Sequence, residues 1–443
     1  MIDHPSRGRA ALALAVLASL PLASTALGQT MSDASLTVST VVASGSGLAQ
    51  PTTMAFVAPN DFLVLEKATG RVRRVLNNAL QPGFALDVHV NSTSERGMLG
   101  IAVAPGSPVR VFLYYTEADG ADGGTALGNR VYRYDWTPGA GSGTLTNGAM
   151  ILDLPVNPGP NHDAGVIVLD AQGRLYVMIG DLNRNGQLQN IPTGAAPDDT
   201  GVVLRVNQDG TAAAGNPFTP YCSVTTTQTC TTTANCPAGQ TCITQVARYF
   251  AYGIRNGFGL EFDRAPGGSL WQTENGPTDF DEMNRIGAGM NGGWNRIHGP
   301  DALDPQNVSD LWHMPGAGIT YSDPEFSWQA IQVPTGIVFP FATTWGTPYN
   351  TRVLVGTQGG NIYSFPLNAA RTGLDVAALP AALQDLVAAN STEANLVRIG
   401  QGFGGITDLQ VGPDDHIYVV DIGGRVFRIA GPVPVTLQDF RIE

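Results

Sequence analysis

The chain has 443 residues and a formal net charge of −13, with 37 acidic against 24 basic side chains. An acidic surface repels a phosphate backbone and no basic cluster argues back, so nucleic acid is not an expected partner. The length allows two or three ordinary domains or one large all-β unit; lysine is almost absent, Lys67 being the only one.

Residues 1–28 carry Arg7 and Arg9, an apolar run from about Ala10 to Ala23, and small residues at Ala26 and Gly28. This is the pattern of a secretory signal peptide. A membrane helix needs about 20 unbroken apolar residues, and Pro21 and Ser24 interrupt this run early. Because the segment holds Asp3, Arg7 and Arg9, its removal takes the formal charge from −13 to −14. No later stretch is apolar enough to span a bilayer, so a secreted or periplasmic protein is expected.

From residue 35 to 430 short strand pairs recur: an alternating apolar run, a turn of Gly, Pro, Asp or Asn, and a second apolar run. Six such units start at Met54, Gly97, Gly165, Gly259, Thr335 and Ile406; the third reads GVIVLDAQGRLYVMIGD. Repeats of about 40 to 70 residues that are mostly strand predict an all-β, six-bladed β-propeller, whose blades cover one another's faces as the ring closes. Val376 to Ala389 is the exception, expected as a short helix broken by Pro380. The tail 431–443 is short and is left unassigned.

All four cysteines, Cys222, Cys230, Cys236 and Cys242, fall in one Thr-rich segment, 219–245. In an exported chain this predicts two local disulfides, in any of three pairings, stapling an insertion that buries little core. The paired C-x2-C spacing of a zinc site is missing.

Propeller loops at one end converge on the central channel, so polar residues just ahead of each inner strand are the candidates for chemistry. They are Glu95 and Arg96 in SERGMLG, His162 and Asp163 in NHDAG, and Arg255 and Asn256 in YGIRNGFG. TENGPTDFDEMN follows with Glu274, Asn275, Gly276, Pro277, Asp279, Asp281 and Glu282. A histidine suits general-base work near neutral pH. An arginine grips a carboxylate in two places, and hard oxygen ligands at uneven spacing suit calcium.

These motifs in this order resemble the soluble quinoprotein glucose and sorbosone dehydrogenases, also called aldose sugar dehydrogenases. The likeness runs from about Ser39 to Ile429, carried by ERGMLGIAVAPG, HDAG with GRLYVMIGD, VVLRVNQDGT with GNPF, YGIRNGFGLEFD, TENGPTDFDEMNRIGAGMNGGWN, PTGIVF and TDLQVGPDDHIYVV. The resemblance implies a six-bladed propeller that uses pyrroloquinoline quinone and calcium to oxidise a sugar at its anomeric carbon to a lactone, passing electrons to an acceptor outside the chain. It implies that His162 is the base, that Glu95 and Asp163 line the substrate pocket, and that Arg255, Asn256 and Asn275 contact the cofactor. Gly276 and Pro277 match the carbonyls that bind calcium, and Asp281 and Glu282 match the acidic pair that follows.

Three departures touch the cofactor pocket. Where the family shows R-x-R-D, this chain has Gly405 and Thr407; a family lysine aligns near Gln358; and a family arginine is replaced by Val166. Because Lys67 is the chain's only lysine, no nearby one is expected to replace the lost lysine, and Arg184 and Arg296 are the candidates to compensate. The departures leave two other readings: a cofactor-free propeller that binds a carbohydrate, a metal or a protein, and a calcium-dependent hydrolase acting on lactones.

Overall fold

The computed structural model describes residues 28–318, 320–340, 345 and 349–431. Apart from Gly28 and Gly431, the expected signal peptide and the tail lie outside the described residues.

Among the described residues six small sheets, antiparallel except for one parallel pair in each of two, form six blades around a central channel, as the six-unit repeat predicts. The inner strands are Pro51–Ala58, Met98–Ala104, Ile167–Leu169, Gly259–Phe262, Pro334–Val338 and Ile406–Val411, each beside the next, with the sixth returning to the first. Behind each lies a second strand whose side chains are buried on both faces, as in Asp61–Glu66, Leu175–Ile179 and Ile417–Asp421, because a neighbouring blade covers each side. That double burial is why these strands read as unbroken apolar runs rather than as alternating ones.

Buried apolar side chains gather in one cluster between each pair of neighbouring blades. Between blades 4 and 5 the cluster is aromatic, with Trp271, Phe326, Trp328, Tyr363 and Phe365. Fully burying such side chains is worth roughly 1.5–3 kcal/mol each, so this core lies between sheets rather than within any one of them. Between blades 6 and 1, Met54, Phe62 and Val64 meet Tyr418, Val420 and Val426.

The ring is latched by the chain's beginning. Thr37–Val42 is the outer strand of blade 6, antiparallel to Arg425–Ala430 with Thr37 opposite Ala430. Thr30–Met31 adds to blade 5 beside Arg398–Gln401. The outermost strand of an open ring would expose unpaired backbone; here the two ends of the repeat satisfy each other.

The expected helix over Val376 to Ala389 is instead two 3₁₀ turns, Val376–Ala378 and Ala381–Leu383, followed by the short strand Val387–Ala388. Pro380, which lacks the N–H a helical ladder needs, separates the turns. The cysteine segment carries a two-stranded sheet, Tyr221–Cys222 with Cys242–Ile243, and disulfides Cys222–Cys236 and Cys230–Cys242. Among the described residues no helix is long and apolar enough to cross a membrane.

Candidate active site

Two loops of every blade open at the same end of the channel: the one entering the inner strand and the one joining the second strand to the third. In three blades an acid at or just past the end of the second strand reaches back to the entering loop. Glu66 Oε1 accepts the Ala49 N–H (3.1 Å) and Glu274 Oε1 accepts the Arg255 N–H (2.5 Å). In blade 3 the acid is Asp181, and it takes a side chain rather than the backbone: its Oδ1 lies 2.6 Å from His162 Nδ1. A Cβ on Gly180 would collide with the carbonyl oxygens of both His162 and Arg255, so glycine here lets the two loops meet.

His162 sits in the left-handed region (φ +62°), where a non-glycine residue needs local support. Support comes from its own N–H, which donates to Glu95 Oε2 at 2.6 Å, while Asn256 Nδ2 donates to that same oxygen at 2.9 Å. Asp181 in turn accepts the Trp294 indole N–H on Oδ2 (2.6 Å) and the Asn183 N–H on Oδ1 (2.7 Å). A carboxylate engaged as an acceptor by two N–H groups accepts again from the imidazole, which puts the ring proton on Nδ1 and leaves Nε2 a lone pair. His162 keeps 12 % of its side chain exposed, enough for contact with a substrate.

Trp294 is held in place by a buried amide pair. Asn190 and Asn291 exchange side-chain hydrogen bonds at 2.9 and 2.7 Å, and Asn190 also donates to the Trp294 carbonyl at 2.8 Å. Arg255 lies over the Trp294 ring, 5.2 Å from its centroid, and donates to the Asn275 carbonyl at 2.6 Å. Burial pushes the Arg255 guanidinium down from its ordinary value, offset by Asp181 and Glu274.

Asp163 is fully buried beneath His162. Its Oδ1 accepts from Asn129 (2.9 Å), its Oδ2 has no partner among the described residues, and burial pushes its pKa up to about 6. The four positions expected around calcium do not converge as one ligand set. Asp281 accepts three backbone N–H groups, from Gly276 (3.0 Å), Gln332 (2.6 Å) and Val333 (2.7 Å), and so pins the turn that carries the Gly276 and Pro277 carbonyls. Glu282, one residue on and therefore on the opposite face of its strand, accepts from Gly299 and Asn284. It lies directly across from Glu274; burial raises both, helped at Glu274 by the charge of Glu282 and at Glu282 by those of Asp281 and Asp323.

Below this mouth the channel holds a cavity of about 240 Å³ lined by Lys67, Glu95, Ala164, Val333, Ile406 and Ile422, among others. Three of the departing positions line it too: Val166, Gln358 and Thr407, the last with its hydroxyl donated to backbone carbonyls. Arg184 and Arg296 are engaged elsewhere, with Asp198 and with the Asn190 carbonyl. The expectation that no lysine comes near this position needs correcting: Lys67, far from Gln358 in sequence, lines the same cavity. A larger cavity of about 350 Å³, lined by Phe56, Phe262, Phe339 and Asp415, opens at the channel's other end.

The groups around the mouth fit a ligand rich in carboxylate and carbonyl oxygen together with a hard cation. Among the described residues, Arg255 Nε is buried without a partner, and so are the amide oxygens of Asn256 and Asn275. An unpaired buried donor seeks an oxygen, and an unpaired amide oxygen next to the Gly276–Pro277 turn seeks an N–H or a cation such as calcium. Among the described residues, three carboxylate, histidine or cysteine ligand atoms converge only at Cys222, Cys230 and Cys236, which are in disulfides.

Inspecting only the loops that enter inner strands misses Asp181, Lys67 and Trp294. The first two carried a signal: Glu66-Lys67, Asp181 and Glu274 all stand where a second strand ends, so the repeat marks a second ring of inward positions. Trp294 carried none.

Quinoprotein glucose dehydrogenase B of Acinetobacter calcoaceticus is 27 % identical over 274 residues, 57 % of this chain and 52 % of that protein. Aldose sugar dehydrogenase YliI of Escherichia coli (strain K12) is 24 % identical over 256 residues, 56 % of this chain and 59 % of that one. The chain thus matches a little over half the length of these relatives. In architecture it resembles the PQQ-bound form of the aldose sugar dehydrogenase of Streptomyces coelicolor, with a TM-score of 0.59, 20 % identity, and coverage of 89 % of this chain and 98 % of that one. Residues 48–428 match the family model for glucose/sorbosone dehydrogenases, and the chain belongs to that family.

Proposed function

We propose that the chain is an exported dehydrogenase, dependent on pyrroloquinoline quinone, that oxidises an aldose at the anomeric carbon to its lactone. The observation that carries this reading is the relay Trp294–Asp181–His162, with Glu95 and Asn256 holding the backbone of the base. His162 Nε2 takes the proton of the anomeric hydroxyl, and Asp181 holds the imidazolium that forms. Arg255, Asn256 and Asn275 are the residues to hold the cofactor, and the Gly276 and Pro277 carbonyls are those to hold calcium. The quinone, when bound, supplies the acceptor for the hydrogen and electron pair leaving the anomeric carbon, polarised by calcium as a Lewis acid. Glu95 faces the sugar from the cavity wall, and Val333, Ile406 and Ile422 keep the opposite wall dry. Export is supported by the leader-like residues 1–28 and by two disulfides, which persist in oxidising compartments.

The test is titration of the calcium-loaded protein with pyrroloquinoline quinone, followed by absorbance, and then dye reduction with a panel of aldoses. His162→Ala should lower kcat by about 10²–10⁴ while leaving Tm nearly unchanged, because the side chain supports no core. Undiminished turnover by the variant would remove His162 from the base's role. The apolar wall at Val166, Val333 and Ile422 favours one rival, a sugar-binding propeller without the cofactor, and absence of binding in the titration is the result that reading expects.

A further inference from the structure

We propose that Lys67 is a cofactor-binding residue, its ammonium holding a carboxylate of the quinone from blade 1 in place of the cation that blade 5 lacks at Gln358. The inference rests on the quinone reading above. Lys67 follows directly on Glu66, the last residue of the second strand of blade 1, and Gln358 follows directly on Thr357, the last of the second strand of blade 5. The two therefore hold the same repeat position in different blades, and both line the one central cavity. A cation moved between equivalent positions of a ring still faces the same ligand from another side.

Among the described residues, Lys67 is the one basic residue lining that cavity. Its Nζ donates to the carbonyls of Ser94 (2.8 Å) and Ser92 (3.2 Å), which leaves one of its three N–H bonds uncommitted. No ion pair among the described residues includes it. Burial pushes its pKa down, partly offset by Asp163 and Glu95. A half-buried ammonium with two carbonyls and no carboxylate has lost more water than its neighbours return, and an anionic ligand makes up the difference. The two carbonyls also hold the long side chain in place, so little rotamer freedom is lost on binding.

A lysine that only fastened the loop at Ser92 and Ser94 would share this geometry, and the experiment separates the two roles. Because the chain has a single lysine, acetylation with an activated ester modifies one ε-amine besides the terminal α-amine, and peptide mass resolves them. With pyrroloquinoline quinone and calcium bound, acetylation of Lys67 should slow several-fold while the α-amine reacts as before. By absorbance titration, Lys67→Gln should bind the cofactor about 10- to 100-fold more weakly, the loss of one charge-assisted hydrogen bond, and Lys67→Arg should recover most of it. Unchanged acetylation in a wild-type protein that does bind the cofactor overturns the role of Lys67 alone, and the labelling stands even if a variant fails to fold. Failure of the wild-type protein to bind the cofactor overturns the parent reading and this one together.

Discussion

In the proposed reaction, Asp181 is what converts His162 from a loop histidine into a base. Without an acceptor at Nδ1 the imidazole is free to turn and to carry its proton on either nitrogen, and only one of those forms has a lone pair at Nε2. Asp181→Asn keeps the size and the Trp294 contact but offers an N–H₂ where the carboxylate accepted, which favours the tautomer protonated on Nε2. The expected result is a fall in kcat of about 10²-fold or more, with KM changed far less; steady-state kinetics of the variant checks it, and an unchanged kcat would mean that the relay does not set the tautomer. His162 was legible in sequence because it stands just before an inner strand. Asp181 was not, because its role depends on the distance between two loops 19 residues apart in the chain.

The cysteine insertion shows what sequence leaves open at the scale of an element. Clustering in an exported chain predicts disulfides, but three pairings are equal on spacing. The fold chooses the interlaced pairing: Cys222 and Cys242 lie opposite each other in the two-stranded sheet, yet each is bonded to the loop between them, at separations of 14 and 12 residues. Replacing Cys222 and Cys236 together by Ser should cost the insertion about 3 kcal/mol, the loop-closure value for a ring of this size. The effect should be local, with faster proteolysis within 219–245 and the proposed sugar oxidation retained, since no described residue around His162 belongs to the insertion. Loss of activity along with the insertion's order would instead make it part of the site. The same scale explains the missing helix: periodicity over Val376 to Ala389 suits a helix, but Pro380 and the pairing of Val387–Ala388 with Phe326–Trp328 hold the chain in turns and strand.

At the scale of the whole molecule, the ring encloses carboxylates that the unfolded chain leaves in water. Burial pushes Asp163 up to about 6 and Asp408, inside the channel, up to about 7. Both folded values lie above the ordinary aspartate value of about 3.9, so the folded state binds more protons than the unfolded one between roughly pH 4 and 7. Stability is therefore greatest at the acidic end of that window and falls as pH rises through it. Thermal melts should show Tm dropping from pH 5.5 to 8, and Asp408→Asn should flatten the drop; a Tm that rises over this range would contradict the burial of these groups.

The sequence by itself determined the architecture, because six alternating strand pairs have apolar faces that only neighbouring copies cover, and it pointed to His162, Arg255 and Asn256 through their common place ahead of inner strands. Through the family resemblance it also marked where cations of the family pattern are missing, at Val166, Gln358, Gly405 and Thr407. Only the tertiary structure brings out the cation proposed to compensate. Lys67 is 291 residues from Gln358 along the chain yet shares its cavity, since a closed ring makes neighbours of blades that are distant in sequence. Asp281, which reads as a metal ligand, is used by the fold to tie down a turn, because three backbone N–H groups reach its carboxylate.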